Sequence, residues 1–165
     1  MSKHLVYTVI YPKPIARAWA DLVNPAFQEG KLRYAGTRDA KVSITPTDDG
    51  GAHVVLDRKN PVTGVPSAVK KLTGEWQHVV EKLTWSADRG DGTRTAPIDV
   101  HFAGIPLTMA GHLTLAPRGE VTALTLDCEF HSGIPLVGGK LESTAAEQSA
   151  QSMDSEAEFS GQFDG

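Results

Sequence analysis

The sequence contains one cysteine, Cys128, and few aromatic residues, which make up 7% of its 165 positions. A single cysteine cannot form an intramolecular disulfide, so the chain is not a disulfide-stabilised scaffold of the kind found in small secreted proteins. The residues that follow Met1 alternate between apolar and polar instead of forming the apolar core of a signal peptide. These absences predict a protein of the reducing cytoplasm.

Long apolar runs and dense basic runs are also missing. No window approaches the roughly 20 consecutive apolar residues that a membrane-spanning helix requires. Sixteen lysines and arginines against twenty acidic residues give a formal net charge of −4. No cluster of basic residues supplies the electrostatic surface that nucleic-acid binding needs. We therefore predict neither a membrane span nor a nucleic-acid partner.

The motifs of several catalytic and cofactor-binding classes are absent as well. The six histidines show no His-x-x-x-His spacing, which argues against a metal site. No Gly-x-Ser-x-Gly, Gly-x-Gly-x-x-Gly or Walker motif occurs. The sequence predicts no metal, no cofactor and no recognisable catalytic constellation. Cys128, between Leu126 and Phe130 on its own face, is interpreted as a small buried hydrophobic residue.

The patterns that are present describe one domain, 1–165, since this length fits a single core. Residues 4–11 are rich in β-branched and aromatic side chains and predict a strand, which two short helices follow. From 32 to 131, short alternating runs separated by Gly, Asp and Pro clusters predict about six further antiparallel strands. Residues 140–159 contain no Gly or Pro and predict one long helix.

Alternation in the last three strands predicts which sheet face is buried. The apolar positions are Ile98, Val100 and Phe102, then Leu107, Met109, Gly111, Leu113 and Leu115, then Leu124, Leu126, Cys128 and Phe130. The opposite positions, which include His101, His112 and His131, are expected to face solvent. A tight turn at Arg118-Gly119 would place His112 opposite Thr125.

Alanine and serine dominate the predicted last helix, which has few large apolar residues. A helix that filled a tight core would carry more leucine and isoleucine, because each buried methylene contributes about 0.8 kcal/mol. Small side chains facing a curved sheet leave a space, and this is where the sequence predicts a cavity.

The order of elements, with Ala18-Trp19 in the first helix and residues 133–142 entering the last one, resembles the START-like superfamily. More narrowly, residues 65–69 (VPSAV), Trp85 and residues 104–107 (GIPL) resemble the actinobacterial domain-of-unknown-function family 2505. The resemblance implies an α+β helix-grip fold, a curved antiparallel sheet wrapped around a long C-terminal helix, with two short helices after strand 1. The superfamily includes lipid and hormone carriers and aromatase/cyclases, whereas the narrower family has no assigned activity.

The cavity implied by the fold is expected to hold a small hydrophobic or amphipathic ligand, lipid-like or polyketide-like. Its predicted lining is Phe102, Met109, Leu113, Leu126, Cys128 and Phe130 from the sheet with Ala145, Ser149 and Met153 from the helix. Residues 65–72 are a candidate lid. Alternation places Arg58 and Glu81 on the inner face, and Glu156 is a further polar candidate in the last helix. Each is interpreted as a group at the end of a strand or the edge of a helix that reaches water.

Three functions stay open at this point. A ligand carrier needs one polar group in the pocket or none, whereas a cyclase or aromatase needs at least two that converge. Since the sequence offers only single polar candidates, ligand binding without catalysis is favoured. The third possibility is a closed core in a protein that acts through its surface. Neither the ligand's identity nor the oligomeric state is encoded in any motif.

Overall fold

The computed structural model describes residues 2–63 and 65–165. In chain order its elements are β1 (Ser2–Tyr11), α1 (Ile15–Leu22), α2 (Pro25–Tyr34), β2 (Arg38–Pro46), β3 (Ala52–Pro61), α3 (Ser67–Thr73), β4 (Trp76–Trp85), β5 (Arg94–Phe102), β6 (Leu107–Arg118), β7 (Val121–Ser132) and α4 (Gly138–Gln162). This confirms the predicted order of elements, which is a strand, two short helices, six further strands and a long helix.

The strands form one antiparallel sheet in the order β1-β7-β6-β5-β4-β3-β2. Because β1 pairs with β7, α1 and α2 carry the chain from one edge of the sheet to the other, where β2 begins. α4 packs against β1 and β7, and α2 packs against β2 and α4. The two helices therefore cover opposite edges of the inner face, which is the predicted helix-grip arrangement.

Local sequence explains where α2 begins and how it docks. Pro25 occupies its first turn, and the Asn24 side chain accepts a hydrogen bond of 3.0 Å from the Ala26 amide. Phe27 is fully buried, with its ring centroid 5.6 Å from that of Phe159 and 5.2 Å from that of Phe163. This aromatic cluster ties α2 to the C-terminal end of α4.

The predicted faces of the last three strands are confirmed, since the apolar positions are buried, except for the half-buried Phe102 and Gly111, and His101, His112 and His131 are exposed. The predicted partner of His112 is wrong. Arg118 pairs with Val121, so Gly119 and Glu120 form the turn and His112 lies opposite Asp127. Gly119 adopts a φ of 64°, a conformation that suits glycine. A shift of the turn by one residue along the chain changes the cross-strand partner of every residue by two positions.

α4 begins at Gly138, two residues earlier than predicted. A Cβ on Gly138 would lie 2.9 Å from the Ser132 carbonyl oxygen, whereas one on Gly139 would meet no atom within 4 Å. The buried Glu142 carboxylate accepts a hydrogen bond of 2.8 Å from the Ser132 amide. The first turns of α4 are thus fastened to the end of β7.

Candidate functional site

A cavity of about 150 Å³ lies between the inner face of the sheet, α2 and α4. Strands β3 to β7 supply most of its wall. Its roof is one stripe of α4, in which lining residues recur every three or four positions: Ala145, Gln148, Ser149, Ser152, Met153 and Glu156. Three of these six side chains are alanine or serine, so the space lies where the composition of the helix predicts it.

Most of the predicted lining residues reach this cavity. From the sheet they are Phe102, Met109, Leu113 and Leu126, and from the helix they are Ala145, Ser149 and Met153. Leu56, Val79, Leu83, Ile98, Val100 and Leu124 extend the apolar wall. The sheet side of the cavity is therefore apolar except at Arg58, Asn60 and Glu81, which lie on β3 and β4.

Cys128 and Phe130 are buried but do not belong to the lining, which corrects the prediction. Both share the inner face of β7 with Leu126, but they lie closer to the end of β7 at which α4 begins. Because the Glu142 contact with Ser132 holds α4 on β7 there, the helix covers this part of the strand. Burial raises the pKa of the Cys128 thiol to about 12, as expected for an inert core cysteine.

The polar candidates Arg58, Glu81 and Glu156 all line the cavity. Arg58 Nη1 lies 3.1 Å from Glu81 Oε1, and Lys31 Nζ lies 3.2 Å from Glu156 Oε1. The four side chains are at most 16% exposed. They do not reach out to water as isolated groups, as the sequence had suggested, but form two ion pairs in one polar region of the cavity.

Tyr11 supports this polar region from behind. Its hydroxyl donates a hydrogen bond of 2.6 Å to Glu156 Oε1. Burial raises the pKa of Tyr11 well above its usual value, and the nearby carboxylates of Glu156, Glu81 and Asp21 raise it further. The phenol is therefore neutral over the physiological pH range and acts as a donor that fixes Glu156.

Lys31 and Gln28, both on α2, also line the cavity and were not predicted. Gln28 is 2% exposed and donates from Nε2 to the Leu22 carbonyl oxygen at 2.8 Å. Its Oε1 is buried and has no hydrogen-bond partner among the described residues. The signal for both residues was their helical spacing with Leu32, since positions 28, 31 and 32 share one face of α2.

The predicted lid, residues 65–72, overlaps α3. Val65 and Val69 line a second cavity of about 50 Å³, and Val79, Phe102 and Ala145 line both cavities. Leu72 is 43% exposed and does not contribute to either wall. α3 therefore lies over the smaller space, which shares part of its wall with the main cavity.

The described residues, 2–63 and 65–165, contain no group of three or more histidine, cysteine or carboxylate side chains placed to hold a metal ion. Across the same residues, no helix combines the length and the apolar character needed to cross a membrane.

With the fold and the cavity established, comparisons place the chain among known proteins. The model of a family described as a protein of unknown function (DUF2505) matches residues 6–163. The chain belongs to this family. No curated protein matches this DUF2505 chain.

Solved structures share the fold of this DUF2505 chain over nearly its whole length. The Zhui aromatase/cyclase from Streptomyces sp. R1128 is 15% identical, with a TM-score of 0.60 over 98% of this chain and 93% of that one. Ara h 8.0201 is 11% identical, with a TM-score of 0.61 over 97% and 98%. Norcoclaurine synthase from Thalictrum flavum, in complex with dopamine and hydroxybenzaldehyde, is 12% identical, with a TM-score of 0.56 over 100% and 90%. At these identities the similarity establishes the helix-grip fold alone.

Proposed function

We propose that this protein binds a small amphipathic ligand in the cavity between the sheet and α4. The observation that carries the proposal is the composition of the wall, which is mostly apolar and contains two ion pairs, one between β3 and β4 and one between α2 and α4. Ligand sites commonly combine a mostly apolar surface with a few converging polar groups that orient the ligand.

The volume limits the size of the ligand. A cavity of about 150 Å³ matches the engineered apolar cavities that take up benzene, and it is smaller than the roughly 300–1,000 Å³ of pockets for drug-sized molecules. We therefore propose a ligand built around one ring, not a long lipid chain. The solved aromatase/cyclase and the norcoclaurine synthase bound to dopamine and hydroxybenzaldehyde support this proposal, because they are proteins of the same fold whose names describe chemistry or ligands of ring compounds.

Toluene titrated into the full chain by isothermal calorimetry tests the proposal. Toluene binding is expected in the wild-type protein and is expected to be lost in the double variant Ala145→Leu/Ser149→Leu, whose new side chains fill the space beneath α4. The same variant should keep or raise its melting temperature, because atoms that enter a void gain contacts worth about 0.8 kcal/mol per methylene.

Gln151→Leu is the matched control, because Gln151 is an exposed residue of the same helix that does not line the cavity. It should leave toluene binding unchanged. Absence of toluene binding in the wild type contradicts the proposal. So does a double variant that loses the 1–3 kcal/mol or so typical of overpacking, since that loss means there was no space to fill. The surface-interaction function would then be favoured.

A second candidate function is an enzyme of the cyclase or aromatase kind, which moves protons on a bound carbonyl compound. The convergence of two carboxylates, Glu81 and Glu156, with Arg58 and Lys31 favours it, since such a reaction needs at least two polar groups around the substrate. Hydrogen–deuterium exchange at the α-carbon of cyclohexanone in D₂O, followed by NMR, separates the two functions. If the protein is such an enzyme, the wild type accelerates this exchange and the variants Glu81→Gln and Glu156→Gln do not. If it only binds the ligand, the wild type and both variants give the same exchange rate.

A further inference from the structure

One acceptor in the cavity wall lacks a donor. The Gln28 amide is fixed in orientation, because the Leu22 carbonyl that it contacts at 2.8 Å can only accept and must face Nε2. Oε1 is then the acceptor, and it is buried without a hydrogen-bond partner among the described residues. A buried carbonyl oxygen that lacks a donor is rare in folded proteins, and in a ligand cavity it marks a place where a donor would be favourable.

One donor in the same wall lacks a well-aligned acceptor. Arg58 Nη1 is 3.1 Å from Glu81 Oε1, which is an ion-pair distance, but the angle is outside hydrogen-bond geometry and Nη1 is buried without a partner among the described residues. Arg58 Nε reaches Asn60 Oδ1 only at 3.4 Å. Arg58 lines the cavity, and its guanidinium keeps at least one N–H without a well-aligned acceptor among the described residues.

The fixed charges around the cavity already balance. Lys31 pairs with Glu156, and Arg58 pairs with Glu81, so two positive groups offset two negative ones. A ligand ion placed beside these pairs would bring an uncompensated charge into a mostly buried region, which is costly. The polar region thus suits a ligand that offers hydrogen bonds without net charge.

We infer that the cavity selects an uncharged, ring-sized ligand whose polar end donates a hydrogen bond to Gln28 Oε1 and accepts one from Arg58. Phenols and cyclic hydroxy-carbonyl compounds meet both requirements. The inference rests on the proposed ligand-binding function and adds the chemical class of the ligand to it.

Five probes of one shape test the inference by calorimetry on the full chain: toluene, p-cresol, 4-methylanisole, p-toluate and 4-methylbenzylammonium. We expect p-cresol to bind about tenfold more tightly than toluene, which corresponds to about 1.4 kcal/mol. 4-Methylanisole, which accepts but cannot donate, should lose most of this advantage. Both ions should bind at least about tenfold more weakly than p-cresol. This series needs no variant protein.

The variant Gln28→Met tests whether Gln28 Oε1 is the acceptor of the ligand's hydrogen bond. It should reduce the affinity for p-cresol to that measured for toluene in the same variant. Gln77→Met is the matched control, because Gln77 also has a buried Oε1 without a partner among the described residues but lines only the smaller cavity under α3. Gln77→Met should retain the preference for p-cresol.

The outcomes separate the inference from the function beneath it. If none of the five probes binds, the ligand-binding function itself is contradicted. If toluene binds and p-cresol binds no more tightly than toluene, or 4-methylanisole binds as tightly as p-cresol, ligand binding stands and the donor requirement is overturned. Tightest binding by p-toluate or by the ammonium probe would overturn the selection of an uncharged ligand. An equal loss of preference in Gln28→Met and Gln77→Met would overturn the assignment to Gln28.

Discussion

Gly111 lies where the paired strand β7 leaves no room for a side chain on β6, and replacing it with alanine should destabilise the protein strongly. It pairs with Cys128 across β6 and β7. A Cβ at this position would lie 2.1 Å from the Asp127 carbonyl oxygen, 2.5 Å from Cys128 Cα and 2.7 Å from Cys128 Cβ. Two of these three atoms belong to the backbone, so no change of rotamer relieves the overlap and the strands themselves must separate.

The magnitude follows from these contacts. Overpacking typically costs about 1–3 kcal/mol, and a clash with backbone belongs at the upper end, so we expect Gly111→Ala to lose about 3 kcal/mol. At about 2–4 °C per kcal/mol for a chain of this size, the melting temperature should fall by roughly 6–12 °C. A protein of ordinary stability, about 5–15 kcal/mol, stays folded after this loss and can be measured.

Urea denaturation followed by circular dichroism tests the prediction, because the midpoint reports stability and the slope reports whether unfolding stays two-state. Gly133→Ala is the control, since a Cβ there would meet no atom within 4 Å. It should be neutral or stabilise by up to about 1 kcal/mol through the unfolded chain. A Gly111→Ala midpoint equal to the wild-type value would refute the argument that the pairing of β6 with β7 requires glycine at position 111.

Three further predictions concern the helix entry, the thiol and the buried tyrosine. Gly138→Ala should lower the melting temperature, because its Cβ meets the Ser132 carbonyl, whereas Gly139→Ala should be neutral or stabilising by up to about 1 kcal/mol; equal effects would contradict the role of Gly138. Cys128, 2% exposed and with a pKa of about 12, should react with a thiol reagent at pH 8 only after unfolding, and rapid native labelling would contradict its burial. The pKa of Tyr11 is higher in the folded state than in the unfolded state, so its contribution to stability is complete below pH 10 and is lost as the pH rises through the folded-state pKa. Tyr11→Phe should therefore reduce the fall of the urea midpoint at alkaline pH. The same fall in the variant and the wild type would contradict this.

Element order and burial could be predicted from the sequence because they depend on local periodicity. Alternation identified the inner face of β5, β6 and β7 correctly, since a strand's side chains must alternate regardless of what packs on them. The register of β6 and β7 could not be obtained in this way. It depends on whether Gly119 is the first or the second residue of the turn, and both alternatives fit the same residues.

The cavity was less accessible to sequence reasoning because its wall depends on where helices cover the sheet. Cys128 and Leu126 have the same alternation, yet only Leu126 lines the cavity, and the path of α4 decides between them. The grouping of the polar residues in one cavity could not be predicted for a related reason. Arg58, Glu81 and Glu156 are far apart in sequence, and Lys31 joins them from α2. Single polar residues on apolar faces carry little information until the topology shows that they share one space.

The persistence of the cavity follows from how α4 is held at both ends. Glu142 and Gly138 fix its start to β7, while Phe159 and Phe163 pack around Phe27 at its other end. The cost of a void depends on how far the surrounding structure can collapse into it, and a helix fastened at two points cannot move onto the sheet between them. The small side chains of its middle turns therefore leave an open volume instead of a closer packing. A ligand that enters this space meets a preformed site, so its binding energy is not reduced by the cost of ordering the protein.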